Sequence, residues 1–566
     1  MRLGLVGPLP PVPSGPADYL AGMLPALARR CEVTCFVPDV DATDPALRAA
    51  HDVRPLDERA DPAVDLLHYH LANNEHHAAV FEAAMAGPPG LAVVHDGSVH
   101  HLVAHRTLSQ HQPLRYWSYL RDAHGDRGGA LAKLRFDGHR AQIEQFLYDG
   151  LRGVVDRHLG ALAHSRYAAE LVRSRMPGLP VWVVPHYARP MAPALSKPDL
   201  GLPDGAFVVG HFGFITAPKR PYLLLEAFAR VVQAGVAAHL LLAGKDDTFG
   251  RLEATVARLG LARHVTVTGY LDADRLEGAI QAVDAVVSLR SPHVAETSGT
   301  LTLALAAGKP VVVQQIGSWA EIPAAVAVHV PADGDEVADL AAAFLDLAND
   351  PARRAVLGDH ARAHARANFD VDHCAGLVAD ASAQVLAGPR ESPRAAHARH
   401  HAAKQQVLAG VPEPSRTRLA AVPAARPGQR LLVLGPDDRV AGPLRDAWGY
   451  AEVVTRPAAD PIPEPAGSFA VVAWFDDRVV DLLDPAPVLA EVNRVLGSEG
   501  QVVLGPDLES PAPYDWSPPL SVHLGLAGFS VDRGGDDAVV AHKAGLPSGD
   551  RLTGPHPVRW TAAARR

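Results

Sequence analysis

Apolar runs of strand length recur along this chain, each closed by a turn residue and followed by a helix-length stretch with spaced apolar positions. RLGLVG, ADYLAGMLPALARR and EVTCFVP open the series; DLLHYHL from Asp65, LAVVHD from Leu91, LGALAHS from Leu159, a helix from Arg166 and VWVVPHY from Val181 continue it. A second series begins with FVVGHFGFI from Phe207 and runs through PYLLLEAFARVVQA, HLLLAG, HVTVTGY, DAVVSL and PVVVQQ. Strands alternating with helices form parallel sheets covered by crossover helices. Two such series predict two doubly wound Rossmann-like domains facing a cleft, with ligands at the carboxyl ends of the strands.

The first series is interrupted between about Thr107 and Gly150 by a helix-prone, aromatic-containing segment, either a lid on the acceptor side or a plain structural insertion. A long helical segment from Asp335 to about Leu386 closes the second series. With 566 residues there is room for more than these two domains. The boundaries predicted are 1–188 for a first Rossmann-like domain, 189–388 for a second, 389–428 for a Pro, Ala, Arg and His linker, 429–545 for a third, smaller Rossmann-like domain and 546–566 for a flexible tail.

Composition narrows the function classes. A hydrophobic content of 48% with 20% charged residues describes a soluble globular protein, and no apolar run approaches the roughly 18 residues that span a bilayer. A net charge of −10 argues against a general nucleic-acid binder. The N-terminal MRLGLVGPLPPVP breaks into prolines where a cleavage site would follow, so it reads as a first strand and loop and not as a signal peptide. Three cysteines, Cys31, Cys35 and Cys374, show no metal-type spacing and point to a reducing cytoplasm.

Chemistry concentrates in RSPHVAETSGTLTLALAAGKP, from Arg290 to Pro310, between the strand-like DAVVSL and PVVVQQ. Glu296 stands ahead of Thr297, Ser298, Gly299 and Thr300, a helix start whose free backbone N–H groups favour negative charge; the bland reading is a capping sequence for a buried helix. This stretch resembles the donor-site motif of retaining GT-B glycosyltransferases of family 4, which carries two glutamates with seven residues between them. Here the second position is Ala304.

HFGFITAPKRPYLLLEAF matches the place where that family carries an arginine and a lysine for the donor diphosphate: Lys219 is retained after the strand-ending Gly213, the arginine position is Phe214, and Arg220 follows the lysine. The resemblance implies transfer of a hexose-like residue from a nucleoside diphosphate sugar to an acceptor hydroxyl with retention at the anomeric carbon, without a cofactor or an essential metal. It implies Glu296, His95 and Lys219 as catalytic residues, His95 and Glu296 positioning the sugar while Lys219 neutralises the departing diphosphate. Gly15, Gly213, Arg220, Tyr270, Arg290, Thr297, Ser298, Gly299 and Thr300 would bind the donor, with Tyr270 near the base.

On the acceptor side, Asn73 and Asn74 follow a strand, either as hydroxyl-binding groups or as ordinary turn residues. Asp96 is the neighbour that would orient His95, although adjacent side chains on an extended strand point apart. His68, His70, His76, His77, His100 and His101 raise the question of a metal, but no carboxylate or cysteine set completes a zinc-like spacing.

From Arg430 the strand rhythm returns in RLLVLG, AEVV, FAVVAWFDD, the helical PVLAEVNRVLG and GQVVLG. This order resembles a class I methyltransferase domain. Its cofactor loop is replaced by Gly435, Pro436, Asp437, Asp438 and Arg439, and VVTRP lacks the acidic residue for the cofactor ribose, so a degenerate domain is expected. Two rival readings remain: a non-catalytic scaffold or sugar-nucleotide binder, favoured by Phe214 and Ala304, and a bifunctional glycosyltransferase–methyltransferase.

Overall fold

A computed structural model describes residues 1–399 except 142, 190 and 397, together with residue 402 and the segments 429–434, 451–456, 468–474, 496–504, 529–534 and 538–543. The chain divides into two compact units, Met1–Arg394 and Ala395–Arg566. The first unit holds both predicted Rossmann-like halves.

The N-terminal half is built on seven strands: β1 (Arg2–Val6), β2 (Glu32–Val37), β3 (Asp52–Pro55), β4 (Leu66–Leu71), β5 (Leu91–Val94), β6 (Gly160–Ala163) and β7 (Val181–Val183). They form one sheet in the order β3-β2-β1-β4-β5-β6-β7, parallel throughout. β4 and β5 are buried on both faces, which explains why they read as unbroken apolar runs with histidines and not as alternating patterns. Helices Gly15–Ala28 and Ala78–Ala86 follow β1 and β4, and the segment after β5 folds into helices His100–Thr107 and Pro113–Phe136 before the chain returns to β6.

The second half repeats the plan with β8 (Phe207–Phe212), β9 (Ala238–Ala243), β10 (Val265–Gly269), β11 (Ala285–Ser288), β12 (Val311–Gln314) and β13 (Ala327–Val330), ordered β10-β9-β8-β11-β12-β13 and all parallel. In both sheets the strand order reverses beside the first strand, so a crevice opens at the carboxyl ends of β1 and β4 and of β8 and β11. This is an α/β GT-B architecture of two parallel Rossmann-like sheets. Within these two halves two strands escaped the sequence reading: DVRP of β3, which ends in proline, and AVHV of β13 are too short to show a period.

The helical segment expected from Asp335 to Leu386 is three helices, Glu336–Asn349, Pro351–Asn368 and Val371–Ala387. Asp335, Asp350 and Asp370 cap them in turn, each side chain accepting a hydrogen bond from a backbone N–H in the first turn. The last helix leaves the second half. Its Cys374, Ala375, Val378, Ala381 and Val385 enter the N-terminal core beside Leu3, Leu5, Leu24 and Leu27, and Ser382 Oγ lies 3.0 Å from His68 Nε2. The chain therefore crosses between halves twice, at 184–188 and at 369–371, and Ala188 N–H donates to Phe369 O at 2.8 Å where the crossings meet.

In the second unit, β14 (Arg430–Leu434), β15 (Glu452–Arg456), β16 (Phe469–Trp474), β17 (Leu496–Leu504), β18 (Phe529–Gly534) and β19 (Ala538–Lys543) form a sheet in the order β15-β14-β16-β17-β19-β18. The first four are parallel, and β19 runs antiparallel to both its neighbours. Gly435 through Arg439, the positions of the expected cofactor loop, lie outside the described residues, as do most of the 389–428 linker, the 546–566 tail and residues 487–495 of the expected helix, whose last two residues, Leu496 and Gly497, instead begin β17. Among the described residues no helix is long and apolar enough to cross a membrane.

Candidate donor site at the carboxyl ends of β8 and β11

The chain leaves β8 through Gly213, whose φ of +96° suits glycine. A Cβ there would stand 2.5 Å from Lys219 Nζ. The short turn Ala217–Lys219 thus folds the lysine back over the strand end. The Lys219 N–H donates to Thr216 O at 3.0 Å, while its ammonium makes no hydrogen bond or ion pair among the described residues. Burial, and then the neighbouring Arg290 guanidinium, lower its pKa to about 7, while Glu296 pulls the other way. His211, on β8 and 3% exposed, is also close to both cations; burial first, then Lys219 and Arg290, push its pKa down to about 3.

Arg290 and Glu296 come from the loop after β11. Arg290 Nε lies 2.8 Å from Glu296 Oε1, and Glu296 Oε2 accepts the Val294 N–H at 2.7 Å. His293 Nδ1 accepts the Ala295 N–H at 2.9 Å, and its Nε2 is 3.2 Å from Ser318 Oγ, which in turn donates to Glu296 O at 3.0 Å. Ala295 is held at a φ of +57°. Glu296 is thereby fixed at three points while remaining 8% exposed.

Ser298 caps the helix Gly299–Ala306, its Oγ accepting the Leu301 N–H at 3.3 Å. Thr300 Oγ1 lies 3.0 Å from that hydroxyl, and Thr297 Oγ1 is buried with no partner among the described residues. Ala304 is fully buried inside the donor half.

Other predicted residues are placed differently. Arg220 pairs through both guanidinium nitrogens with Glu336, one contact being 2.6 Å; Gln314 also donates to Glu336 and accepts the Arg290 N–H at 3.4 Å. The Arg220 charge is therefore already matched away from Lys219. Tyr270, 69% exposed, stands just past β10. Phe214 and Phe249, which follow β8 and β9, are exposed as well, and the sequence reading named neither for a ligand. Gly15 begins the first helix with open space where a Cβ would be, so only its backbone is distinctive.

From the N-terminal half, Asp96 reaches the same neighbourhood: burial raises its pKa to about 6, the Asn73 N–H bond lowers it, Glu296 raises it and Arg290 lowers it. Asn73 donates its N–H to Asp96 Oδ2 at 2.8 Å, and its own Oδ1 accepts the Leu102 N–H at 3.1 Å. Asn74 Oδ1 accepts the His76 N–H at 3.1 Å. Both asparagine side-chain oxygens are thus occupied by local backbone.

Asp96 does not orient His95. The His95 ring lies between two other imidazoles, with Nε2 3.1 Å from His70 Nδ1 and Nδ1 3.0 Å from His164 Nε2. Among the described residues no group of three histidine, cysteine or acidic side chains is placed to hold a metal.

The halves touch beside Glu296. Gly97 N–H donates to Val294 O at 2.7 Å, and a Cβ on Gly97 would meet that oxygen at 2.5 Å and Ala295 Cβ at 2.8 Å. Glu321, from the donor half, accepts the Arg166 and Tyr167 N–H groups at 3.1 and 2.5 Å, at the start of helix Arg166–Arg175. A cavity of about 300 Å³ opens between the halves, with His186, Thr297 and Ser298 at one end and Leu305, Ile322 and Phe369 along its apolar wall.

Residues 206–350 match the family model described as Glycosyl transferases group 1. A 2-deoxystreptamine glucosyltransferase of Streptomyces kanamyceticus is 30% identical over 183 residues, 32% of this chain and 47% of that protein. A D-inositol 3-phosphate glycosyltransferase of Rhodococcus opacus is 31% identical over 192 residues, 32% of this chain and 42% of that protein. The chain thus spans less than half the length of these relatives. Among solved structures, a sucrose-phosphate synthase from Thermosynechococcus elongatus aligns with a TM-score of 0.51 at 18% identity, over 68% of this chain and 99% of that one. The class is therefore a GT-B α/β protein. Over residues 206–350, its second half is similar to the group 1 glycosyl transferases.

Proposed function

We propose that the protein transfers a sugar from a nucleoside diphosphate sugar to an acceptor hydroxyl, with retention at the anomeric carbon. The observation that carries this reading is the convergence, at the carboxyl ends of β8 and β11, of a half-buried lysine whose ammonium is unpaired among the described residues, the Arg290–Glu296 pair and a capped helix start, all within the matching segment. Breaking the bond between anomeric carbon and diphosphate leaves negative charge that Lys219, the helix N-terminus and Arg290 are positioned to stabilise. Arg290 and Arg220 are each paired with a glutamate, Glu296 and Glu336, and of the two it is Arg290 whose charge acts on Lys219. Glu296, held by Arg290 and the Val294 amide, keeps its carboxylate in place for donor hydroxyls. The names of the relatives support a sugar donor; base, sugar and acceptor are matters for assay.

The test is a thermal-shift and turnover screen of the purified protein with UDP, GDP, ADP and TDP sugars. One donor should raise the melting temperature and be hydrolysed or transferred, and Glu296→Ala and Lys219→Ala should abolish turnover in folded protein. Binding without turnover would favour the sugar-nucleotide-binding reading, which the fully buried Ala304 supports because no carboxylate stands where the motif's second one would.

For residues 429–545 we propose a degenerate methyltransferase-like domain, supported by a parallel sheet with an antiparallel strand set between its last two members. Tight binding of S-adenosylmethionine would overturn the word degenerate.

A further inference from the structure

The start of one helix in the N-terminal half is a dock for the loop that carries Glu296. The helix Arg166–Arg175 takes three contacts there from the second half. Glu321 Oε1 and Oε2 accept the Tyr167 and Arg166 N–H groups at 2.5 and 3.1 Å. The Tyr167 ring meets His293 edge to face at 5.4 Å between centroids. Ala295, 2% exposed, packs in one small apolar cluster with Ala168 and Ala169 of this helix.

Glu321 is tied to the same loop from within its own half. It ends the short turn Gly317–Glu321. Ser318 of that turn donates to Glu296 O at 3.0 Å, and the Trp319 ring stands edge to face against His293 at 4.5 Å. Gly317 permits this approach, because a Cβ there would stand 2.6 Å from the His293 ring. One turn therefore grips the loop with Ser318 and Trp319 and the other half with Glu321.

A carboxylate suits that second grip. A helix start leaves N–H groups without partners inside the helix and carries the positive end of the dipole. Ser165 Oγ accepts the Ala168 N–H at 3.0 Å, which leaves the two N–H groups before it to Glu321. If the halves part, the carboxylate and both N–H groups lose these partners together, so the contact favours the closed arrangement.

We infer that Glu321 is a positioning residue that makes the shape of the Glu296 loop conditional on closure of the halves. Docked on the helix Arg166–Arg175, the loop is packed on both His293 and Ala295, the residues that lead into Glu296. Undocked, it loses that packing and the carboxylate its fixed aim. The consequence for turnover rests on the proposed transfer; the docking itself does not.

Hydrogen exchange of the full chain, read by mass spectrometry, tests the docking without substrate. Glu321→Ala should speed amide exchange in peptides covering the Glu296 loop at least ten-fold, and Glu321→Gln, which keeps one acceptor oxygen, should fall between it and the parent. Ser165→Ala, which removes only the helix's own cap, should speed exchange at the helix start and leave the loop unchanged. Loop exchange that is equal in parent and Glu321→Ala, or raised as much by Ser165→Ala, overturns the inference. In turnover, Glu321→Ala should lower kcat at least ten-fold with the donor KM within three-fold of the parent; an unchanged kcat would overturn the positioning role. Absence of turnover in the parent would count against the proposed transfer alone, because the exchange measurement needs no substrate.

Discussion

At the scale of single residues, the donor site is governed by how few partners Lys219 has. With a folded pKa of about 7 against 10.5 for an ordinary lysine, it is protonated in both folded and unfolded chains below pH 7. Between pH 7 and 10.5 the folded chain has lost the proton and the unfolded chain keeps it, so this group's contribution to stability rises with pH across that window. A bound diphosphate favours the charged lysine. Nucleoside diphosphate binding at pH 8 should therefore take up close to one proton, seen as a buffer-dependent enthalpy in titration calorimetry, and Lys219→Met should remove the dependence. The Arg290–Glu296 pair gives a second expectation: Arg290→Ala leaves a buried carboxylate uncompensated and should lower the unfolding free energy in urea by about 3 kcal/mol. Lys219 and Glu296 were legible in the sequence because each sits at a fixed offset from a strand end. Glu336, Gln314 and Ser318 were not, since they reach the site from elements far along the chain. His95 was legible as a position and misjudged in its partners: Asp96 is its neighbour in sequence, whereas His70 and His164 meet it only through strand pairing and the chain's return after β6.

At the scale of elements, the loop 289–298 is held from both sides of the cleft. Its Glu296 is fastened within the donor half, while its Val294 carbonyl takes a hydrogen bond from Gly97 of the other half. Gly97→Val would drive side-chain atoms into that carbonyl and into Ala295. The variant should fold with a melting temperature within a few degrees of the parent but lose at least ten-fold in turnover, because the two walls no longer close on each other. Gly213→Ala should act on one half only: it strains a φ of +96° and displaces Lys219, weakening nucleotide diphosphate binding without changing closure. The strand and helix alternation was readable because buried parallel strands leave long apolar runs. The glycines that matter for closure were not, since a glycine after a strand looks the same whether it turns the chain or lets another segment approach.

At the scale of the whole first unit, the core of the N-terminal half is completed by a helix that comes from the end of the other half. Ala381 on that helix is 1% exposed in the N-terminal core. Ala381→Asp would bury a charge among apolar side chains and should cost several kcal/mol, lowering the urea midpoint of the N-terminal half while nucleotide diphosphate binding to the donor half persists to higher urea. Sequence could show that the last segment was helical but not which half it completes, because its apolar stripe fits any apolar partner. The paired crossings carry a mechanical consequence. Two chain segments joined by the Ala188–Phe369 hydrogen bond form a double strap at one edge of the unit, so any opening of the halves is expected to pivot there and to part Gly97 from Val294 first.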